Sequence, residues 1–398
     1  MPFESTAPRL GQVGSLDGLR GICVLMIVLF HIGGEKLASF SAAVDVFFVV
    51  SGFLITTLLL QEHRRNGSIA LRSFYSRRAL RLLPPLYPVL AYTFLASLFV
   101  KNGRFVGEAL KEIGSAFFYM YHVVFAVGLT KFDSKHDFRF LTHLWSLSVE
   151  EHFYLVIAAL ILFIVRRDLV RLFAAAAVIF VLVGAASRLT GHFGPLTFWL
   201  QRPDHLLVGV LVSLVNANLP TQLSPTAEKR LKTLGILGAA VMAFAMFAST
   251  SFANKLGVAF RFSDLKIFDE MTIGQSRFGL TWTRIGYTMA AWGVAPLLLA
   301  VVRCSDWWMT RLLTLRWLRG VGRQTYAIYI WHVPILVVVA ERADAWSNDG
   351  GVGKLGVAAV AVGSVAIAFL SHRFVEVPAM RIKRRFASDP DSIDVSRR

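Results

Sequence analysis

About ten stretches of roughly 20 apolar residues run through this 398-residue chain, and each is long enough to cross a lipid bilayer. Their approximate limits are 14–33, 42–61, 83–100, 147–165, 170–187, 203–217, 232–251, 284–302, 324–341 and 353–371. Hydrophobic residues make up 55% of the chain and charged residues only 17%, whereas about a quarter of the residues are charged in ordinary soluble domains. The sequence therefore predicts an all-α polytopic membrane protein, a bundle of about ten transmembrane helices.

One further apolar stretch, residues 105–128, starts with charged residues and is shorter in its apolar part than the others. This pattern is typical of an interfacial or partly re-entrant helix, and both alternatives remain open at this point. If the stretch crossed the membrane, the number of spans would rise to about eleven.

Basic residues predict the orientation of the chain in the membrane. They are concentrated in connections that fall on one side of a ten-span arrangement, such as residues 64–81, 166–171 and 303–323, whereas the opposite connections 34–41 and 342–352 carry few. Because cytoplasmic connections are enriched in lysine and arginine, both termini are predicted to be cytoplasmic. The net charge of +17, from 42 basic and 25 acidic residues, is then a topology signal and gives no support to nucleic-acid binding.

The chain is expected to have three parts. Residues 1–13 form a cytoplasmic lead, residues 14–380 form the transmembrane domain, and residues 381–398 form a basic cytoplasmic tail. The first span contains the ionisable residues Arg20 and His31, which are not expected in a signal peptide that is cleaved off. We therefore expect this span to be retained.

An ionisable side chain inside a span costs about 2.5–3.5 kcal/mol, so each one requires an explanation. In the first span, Arg20 and His31 are eleven residues apart, which is about three helical turns and roughly 16 Å along the axis. Both therefore face the same side of the helix. We predict that Arg20 lies near the cytoplasmic surface and His31 in the outer half of the membrane, lining one cavity. The alternative is that Arg20 reaches the lipid headgroups and His31 caps the helix end.

The second span contains the sequence DVFFVVSGFLIT and carries Asp45 near its outer end. The connection from His31 to Asp45 is short, and a carboxylate beside an imidazole orients the ring and raises its basicity. We therefore predict that Asp45 pairs with His31. The small residues Ser51 and Gly52 allow close approach of either a neighbouring helix or a thin ligand, and both alternatives remain open.

Two charged motifs flank the third span. Arg77, Arg78 and Arg81 form a guanidinium cluster that ends at Pro84-Pro85. Guanidinium groups suit phosphate oxygens, but the same cluster is also typical of an anchor on anionic lipid. The fourth span begins with HLWSLSVEEHFYL, where Glu150 and the next carboxylate point about 100° apart, so that only one is expected to face the protein interior. Tyr154 is expected at the membrane interface.

The motifs and their order resemble the membrane-bound acyltransferase-3 family, bacterial O-acetyltransferases that modify surface glycans and some antibiotics. The motifs that carry the resemblance are LDGLRG with Arg20 ahead of His31, DVFFVVSGFLIT, the guanidinium cluster before Pro84-Pro85, WSLSVEEHFYL, TYAIYIWHVPI and RFVEVP. The resemblance covers residues 14–380 and departs from the family pattern at His152, where glutamine is common. Some members carry a fused extracytoplasmic hydrolase-like domain, which we do not expect in the residues after 380.

The resemblance implies that an acyl group, usually acetyl, moves from cytoplasmic acetyl-CoA to a hydroxyl of a carbohydrate or lipid-linked glycan at the outer face. The predicted contacts with acyl-CoA, from its phosphates to its pantetheine arm, are Arg20, Arg77, Arg78, Arg81, Ser51 and Gly52. His31 is the predicted general base, and Asp45 or Glu150 would hold its tautomer. A covalent acyl-His31 relay and direct transfer both remain open.

The expected location is the bacterial inner membrane, with membrane lipids and acyl-CoA as partners and no nucleic acid. No spacing typical of metal ligands occurs, so no metal cofactor is predicted. The main alternative function is a carrier or flippase for a lipid-linked sugar, whose diphosphate would bind the arginines. A sensor or scaffold without activity is a third alternative. The shared helix face of Arg20 and His31 favours the enzyme.

Overall fold

The computed structural model describes residues 10, 13–126, 139–247, 282–342 and 354–383. The α-helices are α1 Gly14–Gly33, α2 Ala43–Asn66, α3 Leu71–Phe99, α4 Val106–Phe117, α5 Tyr121–Ala126, α6 Leu144–Arg166, α7 Val170–Thr190, α8 Asp204–Asn218, α9 Pro225–Phe247, α10 Trp282–Arg303, α11 Trp308–Leu313, α12 Arg316–Arg323, α13 Thr325–Arg342, α14 Lys354–Ser371 and α15 Val377–Lys383. No strand occurs among these described residues. Most of the predicted lead and nearly all of the predicted tail lie outside them.

Many of the described helices have the length and the apolar composition of membrane spans. Eight helices are long and apolar enough to cross a membrane, and the pair Arg316–Arg323 and Thr325–Glu341 adds a ninth if it forms one broken span. The 15-residue helix α8 is a shorter apolar helix. These helices confirm the prediction of an all-α polytopic chain with about ten membrane helices.

Helix α3 corrects the predicted start of the third span. It runs without a break from Leu71 to Phe99 and contains Pro84, Pro85 and Pro88, whereas we predicted that the prolines end the arginine segment and that the span starts at residue 83. A proline removes one backbone hydrogen bond, but helices in membranes tolerate it where packing against neighbours holds the chain. The guanidinium cluster is therefore part of the spanning helix rather than of a connection.

Contacts within the chain define two compact units. The first unit contains Met1–Ile69 and Val156–Gly322, and the second contains Ala70–Leu155 and Arg323–Arg398. His31 and Asp45 belong to the first unit. The guanidinium cluster of α3 and Glu150 belong to the second.

The stretch that we expected to be interfacial or re-entrant forms a short hairpin in the second unit. Helices α4 and α5 meet at Tyr119, whose backbone φ of 54° lies in the left-handed region. Phe117 at the end of α4 lies beside Tyr87 in the middle of α3, with ring centroids 6.2 Å apart. Because α4 starts just after the end of α3 and finishes near its middle, the chain turns back along α3. This path supports the re-entrant alternative.

Glu112 connects the helices of the hairpin through hydrogen bonds of its side chain. Its carboxylate accepts a hydrogen bond from the Tyr121 hydroxyl at 2.6 Å and another from the Phe140 backbone N–H at 2.9 Å. The side chain therefore joins α4 to α5 and to the chain that enters α6. Burial raises the pKa of the Glu112 carboxyl from 4.5 to about 7, although these donors and Arg139 act in the opposite direction.

Stability is expected to fall as pH rises through the range in which Glu112 ionises. An acid whose pKa is raised by folding stabilises the folded state below its unfolded pKa, and this contribution is lost between pH 4.5 and about 7. Thermal unfolding in detergent should therefore occur at a lower temperature at about pH 8 than at about pH 5. Glu112→Gln should remove this part of the dependence. An unchanged pH profile in that variant would contradict the assignment to Glu112.

Candidate functional site

The imidazole of His31 is held near the end of α1 in a defined tautomer. Its Nδ1 atom lies 2.9 Å from the carbonyl oxygen of Ile27, and the Phe30 ring packs edge-on with centroids 4.6 Å apart. A carbonyl can only accept a hydrogen bond, so Nδ1 carries a proton, and in the neutral ring Nε2 is the nitrogen with the lone pair. Arg20 is half-buried on the same unbroken helix and, by helical geometry, on the same face.

Asp45 has different partners from the one that we predicted. Its Oδ1 atom accepts hydrogen bonds from Arg202 Nε at 2.6 Å and from His205 Nδ1 at 2.7 Å, and the residue is fully buried. The carboxylate expected beside His31 therefore serves residues at the start of α8. The carbonyl of Ile27 takes the orienting place on Nδ1 of His31 instead.

These contacts belong to a larger set of buried ionisable side chains, the buried charge network, formed by Asp45, Arg188, Arg202, Asp204 and His205. Arg188 binds both carboxylate oxygens of Asp204, at 2.8 and 2.7 Å. All five side chains are at most 6% exposed. Two guanidiniums face two carboxylates, so the formal charges balance and the desolvation cost of each ion is offset by a partner.

His205 within this network resembles the base of an aspartate–histidine dyad but cannot serve as one. Arg188 Nη2 lies 3.0 Å from His205 Nε2 and has only hydrogens to donate, so Nε2 is the acceptor. Nδ1 then donates to Asp45, which makes the imidazole neutral with both nitrogens engaged. Sequence reasoning assigned no role to Arg188, because a single arginine near a helix end looks like an interfacial anchor.

The Ser51-Gly52 pair lies where α2 meets α8. A Cβ atom on Gly52 would come within 2.0 Å of the Leu206 carbonyl oxygen, and one on Gly209 would come equally close, at 2.0 Å, to the Val49 carbonyl oxygen. The two glycines therefore let the helix backbones approach closely. Gly52 serves helix packing, which was one of the two alternatives that the sequence left open, and contact with pantetheine at this position is not supported. Ser51 is half-buried beside it.

The second unit joins the guanidinium cluster to the paired carboxylates of α6. Arg78 Nη2 donates to Glu151 Oε1 at 2.9 Å, and the Arg78 guanidinium carbon lies 3.4 Å from the centre of the Tyr154 ring. The Tyr154 hydroxyl donates to Glu150. Both carboxylates are therefore used inside the protein, and Tyr154 is buried rather than at the membrane interface as expected.

Arg77 and Arg81 lie half-buried on the same helix as Arg78. Arg81 is close enough to Glu151 to interact with its charge. Three guanidiniums accompany two carboxylates here, so the formal charge of the cluster is 3 − 2 = +1. A cluster with excess positive charge in half-buried surroundings is suited to an anionic group.

The motif TYAIYIWHVPI has a packing role in the same unit. The Tyr329 hydroxyl donates to the His143 carbonyl oxygen at 2.5 Å and lies 2.6 Å from the Ser146 hydroxyl. His332 is 1% exposed, and its Nδ1 donates to the Tyr329 carbonyl oxygen at 2.6 Å. The contacts of the Tyr329 hydroxyl connect α13 to the start of α6, whereas the His332 bond lies within α13. His152, the departure from the family pattern, packs against His122 of α5 with ring centroids 4.7 Å apart.

Comparison with known proteins places these motifs in one protein family. A family model described as an acyltransferase domain matches residues 13–373. The peptidoglycan O-acetyltransferase OatA of Listeria monocytogenes is 28% identical over 385 residues, which are 92% of this chain and 55% of the relative. The O-acetyltransferase OatA of Staphylococcus aureus is 25% identical over 371 residues, which are 91% of this chain and 56% of the relative.

The chain therefore spans slightly more than half the length of these relatives. No solved structure matches it. The family match runs through both units and covers the motifs from LDGLRG to TYAIYIWHVPI, and it ends at Arg373, the first residue of RFVEVP. The chain belongs to the membrane-bound acyltransferase-3 family.

Proposed function

We propose that this protein is a multi-pass O-acyltransferase of the bacterial inner membrane with both termini in the cytoplasm. It moves an acyl group, acetyl in the simplest case, from cytoplasmic acyl-CoA to a hydroxyl of a carbohydrate acceptor at the outer face. Membership of the family supports the transfer, and the name of the Listeria relative supports a glycan acceptor. The observation that carries the proposal is the contact of His31 Nδ1 with the Ile27 carbonyl oxygen, which makes Nε2 the proton acceptor of the neutral ring.

In the proposed reaction, His31 Nε2 takes the proton of the acceptor hydroxyl while the hydroxyl oxygen attacks the thioester carbonyl carbon. The carbon–sulfur bond then breaks, and the CoA thiolate leaves with the proton returned from Nε2. The Ile27 carbonyl keeps the Nδ1 hydrogen bond in both charge states of the ring, so the ring need not turn during transfer. Glu150 and Asp45 are engaged elsewhere and have no direct part in this step.

The arginines supply the contacts for the phosphates of the donor. Arg20 lies about three turns from His31 on α1, which is roughly 16 Å and comparable to the length of an extended pantetheine arm. On α3 of the second unit, the guanidinium cluster remains a predicted phosphate site, and Arg77 and Arg81 lie half-buried there. Arg78 adds positive charge and holds the cluster against α6.

Arg81→Ala is expected to weaken CoA binding about tenfold, because a charge-assisted hydrogen bond to phosphate is lost. The loss of affinity should be larger at low salt, because added salt screens part of the attraction between a half-buried guanidinium and a phosphate. Titration of the purified protein with CoA at low and high salt measures both effects. Arg72→Ala, which removes an exposed arginine from the first turn of the same helix, is the matched control. Unchanged CoA affinity in both Arg77→Ala and Arg81→Ala would contradict the phosphate role.

Transfer itself is tested with the purified protein in vesicles, radiolabelled acetyl-CoA on one side and a glycan oligosaccharide on the other. Label on the oligosaccharide together with free CoA is the expected result. A carrier or flippase would move its lipid-linked sugar without releasing CoA. That outcome would overturn the proposed function.

A further inference from the structure

The motif RFVEVP has no role in the reaction described above, although its glutamate lies in an unusual backbone. Residues His372–Glu376 form a π-helical segment between α14 and α15. Such segments are rare and occur often at functional sites. Glu376 Oε2 accepts a hydrogen bond from His372 Nδ1 at 2.9 Å, and 12% of the Glu376 side chain is exposed.

The second carboxylate oxygen of Glu376 lacks a donor among the described residues. Its Oε1 atom is buried and, within the part of the chain that the structure describes, has no hydrogen-bond partner. A buried acceptor without a donor loses its hydration and gains nothing in return, which is costly. The position therefore suits a ligand that brings a hydrogen-bond donor.

Neighbouring side chains place Glu376 beside the guanidinium cluster. The π-helical segment packs on α3, and Glu376 interacts electrostatically with Tyr326. Tyr326 interacts in turn with Tyr119, at the tip of the hairpin, and with Glu151. Glu151 binds Arg78, whose Nε–H is also buried without a hydrogen-bond partner among the described residues. One polar region of the second unit thus offers a donor at Arg78 and an acceptor at Glu376.

We propose that Glu376 binds a hydrogen-bond donor on the nucleotide half of CoA, the adenine amino group or a ribose hydroxyl, while the arginines of α3 bind its phosphates. The inference rests on the proposed function and adds a nucleotide subsite to it. The 3′-phosphorylated nucleotide of CoA carries hydrogen-bond donors and phosphates close together. The pantetheine arm has no phosphate beyond its attachment point. By the orientation inferred from the basic residues, the start of α3 and the end of α14 are on the cytoplasmic side, where CoA is found.

The subsite is tested by titrating the purified full chain with three probes, CoA, 3′,5′-ADP and 4′-phosphopantetheine. Glu376→Gln keeps the size of the side chain but replaces a charged acceptor by a neutral one. It is expected to weaken CoA and 3′,5′-ADP binding about tenfold and to leave 4′-phosphopantetheine binding unchanged. Arg373→Gln, which removes a charge from the exposed side of the same segment, is the matched control and should bind all three probes as the wild type does.

Different results separate this inference from the proposed function. Unchanged CoA binding in both Glu376→Gln and Glu376→Ala would overturn the subsite alone. Equal loss of affinity for all three probes, with a lower unfolding temperature, would also overturn it, because Glu376 would then support the fold rather than the nucleotide. Failure of the wild type to bind CoA would overturn the proposed function, and the subsite with it.

Discussion

Replacing His31 by glutamine is expected to slow acyl transfer by about 10²- to 10⁴-fold, the contribution typical of a general base. Glutamine can still place a polar group near Ile27, but it cannot accept a proton as imidazole Nε2 does. CoA affinity should remain within about twofold of the wild type, since the arginines proposed to bind the phosphates are untouched. The measurement is single-turnover transfer of labelled acetyl to an oligosaccharide, combined with CoA titration of the same preparation.

The matched control for this substitution is His192→Gln, which changes an exposed histidine of the same unit. It should transfer at the wild-type rate. Full activity in His31→Gln would show that His31 is not the base. Release of CoA by the wild type without any acceptor, at one equivalent per protein, would indicate an acyl group on His31 and favour the relay over direct transfer.

Arg188→Met is expected to lower the free energy of unfolding by about 3–5 kcal/mol, because it leaves the fully buried Asp204 carboxylate without its guanidinium. Substituting both partners, Arg188→Met with Asp204→Leu, should recover much of this loss, since no buried charge then remains unpaired. Cys23 and Cys304 are buried free thiols, so a thiol-reactive dye reports unfolding in detergent.

The exposed pair of Lys111 and Glu108, 3.1 Å apart, provides the control for this experiment. Glu108→Gln should change the unfolding temperature very little, because exposed ion pairs contribute little to stability. An unfolding temperature for Arg188→Met equal to that of the wild type would contradict the role assigned to the buried charge network.

Helix positions followed from the sequence wherever hydrophobic length alone decides them. The first span was predicted at 14–33, and α1 is Gly14–Gly33. The third span was predicted too short, since prolines usually end a helix in water but are tolerated where neighbouring packing holds the chain. Hydropathy could not decide between an interfacial and a re-entrant 105–128 stretch, because the outcome depends on contacts such as that of Phe117 with Tyr87.

The sequence singled out ionisable residues inside the predicted spans, but it did not identify the partners of these residues. His31 and Asp45 were both singled out, but the carboxylate that was predicted to pair with His31 binds Arg202 and His205, 157 and 160 residues further along the chain. Similarly, Glu151 received no role from the sequence, because the pairing with Arg78 depends on how α3 and α6 pack. A single sequence specifies which groups are costly in a membrane, but it does not specify which of several opposite charges each one meets.

The bidentate bond between Arg188 and Asp204 also has a consequence for biogenesis. A lone guanidinium entering the bilayer with α7 would be costly. Its carboxylate follows only 16 residues later, at the start of α8. We therefore expect the translocon to release α7 and α8 into lipid together as a neutral pair, with α7 waiting at the lateral gate until α8 has been synthesised.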